Sequence, residues 1–420
     1  MSRPRLIMIG LDGVGLDLVQ DLVGRGVMPH LGRMMQAGRA WPTASPLPEV
    51  SPVCWTSMFS GQGPGGHGIF GFGEYDLARG GVRPVDSTQV RAERLWERLS
   101  RQGRRSVVLN VPLTFPAKEI NGVMVSGFVT PNLKRGVRPL TLLPQLEDMG
   151  YRPEADLDQG ITDVSALMKD LRATLEIRLK LFEKFLDEDW DLYVAVITDT
   201  DRVNHFLWPA LRDPAHPMAH EALAVYKMVD DFLGLVWARK GIDIQEGRMS
   251  LLVAADHSFG PIQAEFYINR WLVEKGYLQV RSEPGAEKIL PETVALALDP
   301  GRVYLHLKGR FPDARLEPGP KALALAGEIR AGLLNTAYAD FAGNAGNLPE
   351  KTLYPAAEVH YGRELYHGPY AVQGPDLVAV AAPGFSLRAG LAKPRVFGRS
   401  HLTGTHRPQG ALALWVGGGA

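Results

Sequence analysis

Short, continuous apolar runs alternate with longer amphipathic stretches through the first 260 residues of the chain. Residues 5–11, rich in isoleucine and leucine, read as a strand buried on both faces, as do 106–111, 122–128, 192–198 and 249–255. Apolar positions at helical spacing fill 16–37, broken by Gly26 and Pro29 into two helices, and recur over 92–102, 164–186 and 219–237. Strands alternating with helices predict a mostly parallel sheet covered on both faces, an α/β fold. After residue 261 the texture changes to dispersed prolines, short strand candidates such as 302–308 and one clear helix over 321–334. The expected organisation is a core of 1–261 plus 396–420 with a cap-like insertion over 262–395, the sheet resuming at 411–416. The glycine-rich tail from Gly417 is expected to fray.

Composition narrows the chemistry. The 420 residues carry 46 Lys+Arg against 46 Asp+Glu, a formal net charge of zero. A nucleic-acid polymer or an anionic membrane is therefore not expected as a bulk partner. Cys54 is the single cysteine, which excludes an intrachain disulfide and a thiolate-rich zinc site. Any metal must be held by aspartate, histidine and hydroxyl groups. No long apolar segment is present, so the cytoplasm is the expected location.

The candidate donors lie far apart in sequence. Asp12 ends the first apolar run, where open α/β sheets place ligand groups. Asp201 and His205 follow the 192–198 strand at a spacing that puts both on one face of a helix. Asp256 and His257 end the 249–255 strand, and His406 sits in Gly404-Thr405-His406-Arg407 before the last one. Ser51 stands at the start of a helical stretch, with Thr56 and Ser57 one turn further in. Singly, each has an ordinary explanation: a turn or capping aspartate, a solvated helix face, a salt bridge, an N-cap hydroxyl. Together, three Asp, three His and one hydroxyl make the ligand set of a two-metal site with an oxygen nucleophile. The Gly61-Gln62-Gly63-Pro64-Gly65-Gly66 stretch matches G-x-G-x-x-G, but no apolar strand leads into it and it reads as a tight loop.

Five segments in this order and spacing resemble the type I phosphodiesterase/nucleotide pyrophosphatase family of the alkaline phosphatase superfamily. They are Ile9-Gly10-Leu11-Asp12-Gly13, the stretch from Ser51 through His67-Gly68-Ile69, Thr200-Asp201-Arg202-Val203-Asn204-His205, Asp256-His257-Ser258-Phe259-Gly260, and Gly404-Thr405-His406-Arg407. The resemblance implies an alkaline-phosphatase-like sandwich. It also implies one metal among Asp12, Ser51, Asp256 and His257 and a second among Asp201, His205 and His406. Two positions depart from the family pattern. Where its members use an asparagine and a backbone N–H to stabilise the transition state, this chain has Phe72 and Pro52, neither of which has that donor. Asn110 and Arg202 are the candidate replacements. The nucleophile is serine where the diesterases usually have threonine.

The expected activity is two-metal hydrolysis of a small phosphate ester, most simply a diester or nucleotide pyrophosphate, through a phosphoseryl intermediate on Ser51. Ligands of this type suit Zn²⁺, with Mn²⁺ or Fe²⁺ as alternatives. A phosphomonoesterase, phosphonate hydrolase or phosphomutase would use the same seven residues, whereas Ser51-Pro52-Val53 and Cys54-Trp55-Thr56 both lack the sulfatase C/S-x-P-x-R pattern. A non-catalytic ester-binding protein is the alternative of another class. Trp55, Phe70, Phe72 and Trp208 are candidate pocket aromatics or core residues, and Tyr366, His367 and Tyr370 in the insertion are read first as surface or packing residues and second as groups facing the site.

Overall fold

The computed structural model describes residues 5–75, 81–283, 286–338 and 353–418. The chain divides into two compact units, one comprising Met1–Gln62, Asp86–Phe259 and His401–Ala420, the other Gly63–Val85 and Gly260–Ser400. The segment 63–85 thus groups with the second unit, outside the 262–395 boundaries expected for the insertion.

The first unit is built on eight strands: β1 (Arg5–Leu11), β2 (Arg39–Ala44), β3 (Ser106–Val111), β4 (Gly122–Ser126), β5 (Val137–Arg138), β6 (Leu192–Ile197), β7 (Met249–Ala254) and β8 (Gln409–Val416). They lie in the order β2-β8-β7-β1-β6-β3-β4-β5. The inner five, β7-β1-β6-β3-β4, are parallel, and β2, β8 and β5 join antiparallel at the edges. The period-2 geometry of a strand sends alternate residues to opposite faces, and the core records it. Ile7, Ile9 and Leu11 pack into one apolar cluster and Met8 into another; Val107 and Leu109 separate from Val108 in the same way. Because both faces are buried, these strands read as unbroken apolar runs rather than as alternation.

One face is covered by α1 (Leu16–Gly24), α2 (Pro29–Ala37), α5 (Val164–Leu186), α6 (Asp199–Arg212) and α7 (Ala219–Gln245). The other is covered by α3 (Ser51–Ser60) and α4 (Leu95–Arg101), through Trp55, Phe59 and Trp96. Both helices expected around Gly26 and Pro29 form, and α5 has the limits predicted. α7 runs eight residues beyond the expected end at Trp237: Lys240 and Asp243 are tolerated because polar residues need only face solvent, not stop the helix. β2 was not anticipated, since Trp-Pro-Thr within it breaks a regular apolar pattern; it pairs only along one side, where Pro42 costs no ladder bond. The strand expected over 411–416 forms, extended to Gln409, and joins the sheet antiparallel.

In the second unit a four-stranded antiparallel sheet runs in the order Ala295–Leu298, Arg302–Leu305, Leu377–Ala381, Ala356–Tyr361. Helices Ile268–Glu274 and Pro320–Leu334 bury Trp271, Leu272, Ile329 and Leu333 against it. The loop read at 61–66 instead includes one helical turn, Pro64–His67, opened by a proline at its first position and closed by Gly68 in the left-handed conformation. No helix among the described residues is long and apolar enough to cross a membrane.

Candidate metal centre

The parallel strands deliver the candidate residues to one edge of the sheet. Asp12 leaves the end of β1, Asp199 and Asp201 open α6 directly after β6, and Asp256 and His257 follow β7. Ser51 is the first residue of α3, and its cap position is Val50. The N-cap role open to Ser51 is therefore not the one it takes. Its Oγ donates instead to Asp12 Oδ1 at 3.2 Å, at a helix start whose dipole favours an anion.

Asp201 is the hub. Its Oδ1 lies 3.6 Å from His205 Nε2, 3.2 Å from His406 Nε2 and 4.0 Å from His257 Nε2. The two Nε2 atoms of His205 and His406 are 3.1 Å apart. His257 Nε2 also lies 3.6 Å from Asp12 Oδ1 and 3.3 Å from Asp256 Oδ2. Two triads therefore offer converging donor atoms: Asp201, His205 and His406, and Asp12, Asp201 and His257. All seven residues predicted from sequence meet in this one place.

The histidine tautomers decide what the centre can hold. His205 Nδ1 faces Gly404 O at 2.9 Å, His406 Nδ1 faces Glu49 O at 2.8 Å, and His257 Nδ1 faces Ser258 O at 3.3 Å. A carbonyl accepts only, so each Nδ1 is the donor and each Nε2 faces inward, where a neutral ring offers a lone pair. Those lone pairs confront carboxylate oxygens, which are acceptors too. Asp201 Oδ1, Asp256 Oδ2 and His257 Nε2 are fully buried without a hydrogen-bond donor. Orphaned acceptors at this density are costly unless a cation sits among them. A proton on the rings is a poor occupant: burial pushes His257 down to about 4 and also lowers His406. The donor set fits divalent cations held by nitrogen and oxygen, with the carbonyl acceptors fixing each ring from behind.

The carboxylates bear the same signature. Burial, then repulsion from Asp256 and Asp201, raises Asp12 well above the usual carboxylate range. Burial, with Asp201 also repelling, pushes Asp256 up to about 7 although Gly13 N–H donates to its Oδ1. Asp201 goes the other way: burial opposes its charge, but His205 and Arg202 hold it well below the ordinary value. Arg202 Nη1 donates to Asp201 Oδ2 at 2.6 Å, and its Nε and Nη2 fork onto Glu154.

Supporting contacts fix the rest of the frame. Trp55 Nε1 donates to Asp12 Oδ2, and Thr200 Oγ1 to Asp12 O. Asn204 donates to Gly13 O and accepts from Tyr226. Gly13 has φ +72°, and a Cβ there would meet the Phe259 ring at 2.6 Å. Phe259 in turn packs against His205, His257 and His406, at ring-centroid distances of 4.8, 5.7 and 5.1 Å. α6 breaks at Leu207, two residues before Pro209. A proline displaces the carbonyl four residues back, and here that carbonyl, His205 O, accepts the Thr403 N–H at 2.7 Å instead. The Trp208 N–H donates to Thr403 Oγ1. Gly404 can follow because a Cβ at that position would stand 2.2 Å from Asn204 O. The kinked helix thereby grips the segment that brings in His406.

The candidate substrate-binding residues Asn110 and Arg202 are engaged with other protein groups. Asn110 is fully buried, and its Nδ2 is committed to Val196 O at 2.8 Å and Thr198 Oγ1 at 3.4 Å. Arg202 is occupied by Asp201 and Glu154. Phe72 is half-buried in the second unit, where Phe70 packs edge-on to Tyr366; His367 is exposed and Tyr370 half-buried there. Trp55 and Trp208 belong to the packed core of the first unit. Sequence reasoning missed Phe259, although it lies inside Asp256-His257-Ser258-Phe259-Gly260, and missed Glu154, for which the sequence carries no local signal.

Residues 6–409 match the type I phosphodiesterase / nucleotide pyrophosphatase family. A crystal structure of phosphonoacetate hydrolase from Sinorhizobium meliloti 1021, in complex with phosphonoformate, is similar over 99% of this chain and 90% of its own, with TM-score 0.61 and 17% identity. Murine ectonucleotide pyrophosphatase / phosphodiesterase 5 is similar over 99% and 88%, with TM-score 0.56 and 15% identity. Human ectonucleotide pyrophosphatase / phosphodiesterase 5 gives 0.55 and 14% over the same shares. No curated protein matches the sequence.

Proposed function

This chain belongs to the type I phosphodiesterase/nucleotide pyrophosphatase family, a metal-dependent class of phosphoester hydrolases, and from that premise we propose that it cleaves small phosphodiesters through a phosphoseryl intermediate on Ser51. The observation that carries the reading is the cluster of three inward-facing histidine Nε2 atoms and three buried aspartates, one of which, Asp12, accepts from the Ser51 hydroxyl. Asp12, Ser51, Asp256 and His257 would hold one cation, Asp201, His205 and His406 the other; nitrogen and oxygen donors of this kind favour Zn²⁺. When bound, two such cations supply the Lewis acidity that neutralises phosphate oxygens and acidifies a hydroxyl or water.

The chain's own residues do the remainder. Ser51 Oγ attacks phosphorus in line; its bond to phosphorus forms as the bond to the leaving alkoxide breaks, and the serine proton ends on the leaving alcohol. Water then hydrolyses the phosphoseryl ester and restores the hydroxyl. Trp55 and Gly13 hold Asp12 and Asp256 at fixed angles, and Arg202, tied to Glu154, fixes Asp201. Pro52 offers no N–H, and the Val53 and Cys54 N–H groups both donate to Val50 O, so the first turn of α3 adds little to oxyanion stabilisation. That supports charge neutralisation by the cations as the main source of rate.

Turnover of bis(p-nitrophenyl) phosphate beside p-nitrophenyl phosphate by the zinc- or manganese-loaded protein tests the substrate class. Faster cleavage of the diester is expected. Preference for the monoester, or silence on both with phosphonate cleavage, would keep the site and overturn the diesterase reading.

Metal uptake has a predicted proton count. In the pH window between their unfolded and their raised folded values, Asp12 and Asp256 of the metal-free protein keep protons that the unfolded chain has lost. A cation must expel them, so binding releases protons and apparent affinity rises with pH, levelling for Asp256 above about 7. Calorimetric titration in buffers of different ionisation enthalpy reads this release directly. Buffer-independent heats at pH 6 would contradict it.

A further inference from the structure

We propose that the second unit contains a pocket for an organic anion, an oxyanion head carried on a flat apolar body. A cavity of about 980 Å³ lies wholly within this unit, a volume suited to a drug-sized ligand. Arg83, Arg302, Lys308 and Arg310 line it against only two acids, Glu74 and Asp376.

The pairing of these charges locates the imbalance. Arg83 pairs with Glu74, Lys308 with Glu317, and Arg310 with Asp376 at 2.7 Å. Arg302 is left. It is 2% exposed, and its donors reach only neutral oxygens: Asp299 O, Gly73 O at 3.0 Å and Tyr304 OH at 3.3 Å. Among the described residues it forms no ion pair. Hydrogen bonds to neutral acceptors satisfy the N–H groups but leave the charge uncompensated, and a buried guanidinium without a counter-ion is a costly arrangement. An anion in the adjoining cavity supplies the missing charge at close range without displacing those hydrogen bonds.

The apolar half of the recognition is also in place. Phe70, Tyr304 and Phe311 line the same cavity and are each nearly buried. The Arg310 guanidinium lies over the Tyr304 ring, 4.9 Å from its centroid, which joins the cationic and aromatic surfaces of the pocket. This inference stands independently of the metal centre.

The test is calorimetric or ligand-observed NMR titration of the full chain with phenylphosphonate and with benzoate, before and after chelation of metals. Saturable binding that survives chelation is expected for at least one probe, and the stronger of the two identifies the head group. Arg302→Met should weaken it about tenfold or more. Arg83→Ala with Lys308→Ala, both half-exposed side chains that can be lost without unfolding, should weaken it in the same direction. Inorganic phosphate, lacking the apolar body, should bind about tenfold more weakly. Absence of saturable binding after chelation overturns the pocket. So does binding that is lost in Asp201→Asn but indifferent to the pocket variants, or benzyl alcohol binding as well as the anions.

Discussion

Ser51→Ala is expected to abolish turnover of the preferred ester by on the order of 10⁴-fold or more, with both cations still bound. The substitution removes the atom that forms the bond to phosphorus and little else. Ser51 is the first residue of α3 and not its cap, so the helix loses no capping bond, and its one hydrogen bond to Asp12 is replaceable by water. The remaining six donors keep their carbonyl and aromatic supports. Rapid-quench kinetics with a labelled diester should trap a phosphorylated chain in the wild type and none in the variant. Activity surviving within about tenfold would mean that water, not Ser51, attacks phosphorus, and would sink the intermediate while leaving the centre intact.

Asp201→Asn should be nearly as damaging by a different route. Asp201 Oδ1 belongs to both triads, whereas every other donor of those triads belongs to one. An asparagine oriented by the Arg202 donor would keep its oxygen on Arg202 and turn its NH₂ into the centre, where a cation repels it. The expected outcome is loss of at least one bound metal per chain by elemental analysis, with activity reduced on the order of 10³-fold or more. Full metal content and near-normal rates would show that Asp201 serves only to anchor Arg202 and Glu154.

Much of this centre was legible in the sequence because its chemistry needs side chains that cannot be substituted freely. Aspartates at the ends of buried strands, a D-x-x-x-H on a helix and a lone histidine beside the last strand each stand out against apolar surroundings. The sheet was legible for a related reason: strands buried on both faces must be apolar throughout. What the sequence concealed is what any residue can provide. The groups that fix the histidine tautomers are the carbonyls of Glu49, Ser258 and Gly404, and a carbonyl carries no residue identity. Asn110 and Arg202 were sensible candidates for facing a phosphate, since both are donors close in sequence to the strand ends. Burial in the fold directed both inward, to Val196 and to Asp201. The edge strand β2 escaped notice because half-exposed strands beside a proline lose the periodicity that identifies them.

The break in α6 has a consequence for the order in which this protein is made. The helix bearing Asp201 and His205 leaves the ribosome about 200 residues before His406, yet its released carbonyl at His205 and the N–H of Trp208 are satisfied by Thr403. Until that late segment arrives, the kinked turn has no partner from it, and one triad lacks a histidine. A nascent chain that has not yet reached Thr403 and His406 therefore lacks both the partner of the kink and one donor of that triad. The contact that satisfies the kink is thus made by the same late segment that supplies the third donor of the triad.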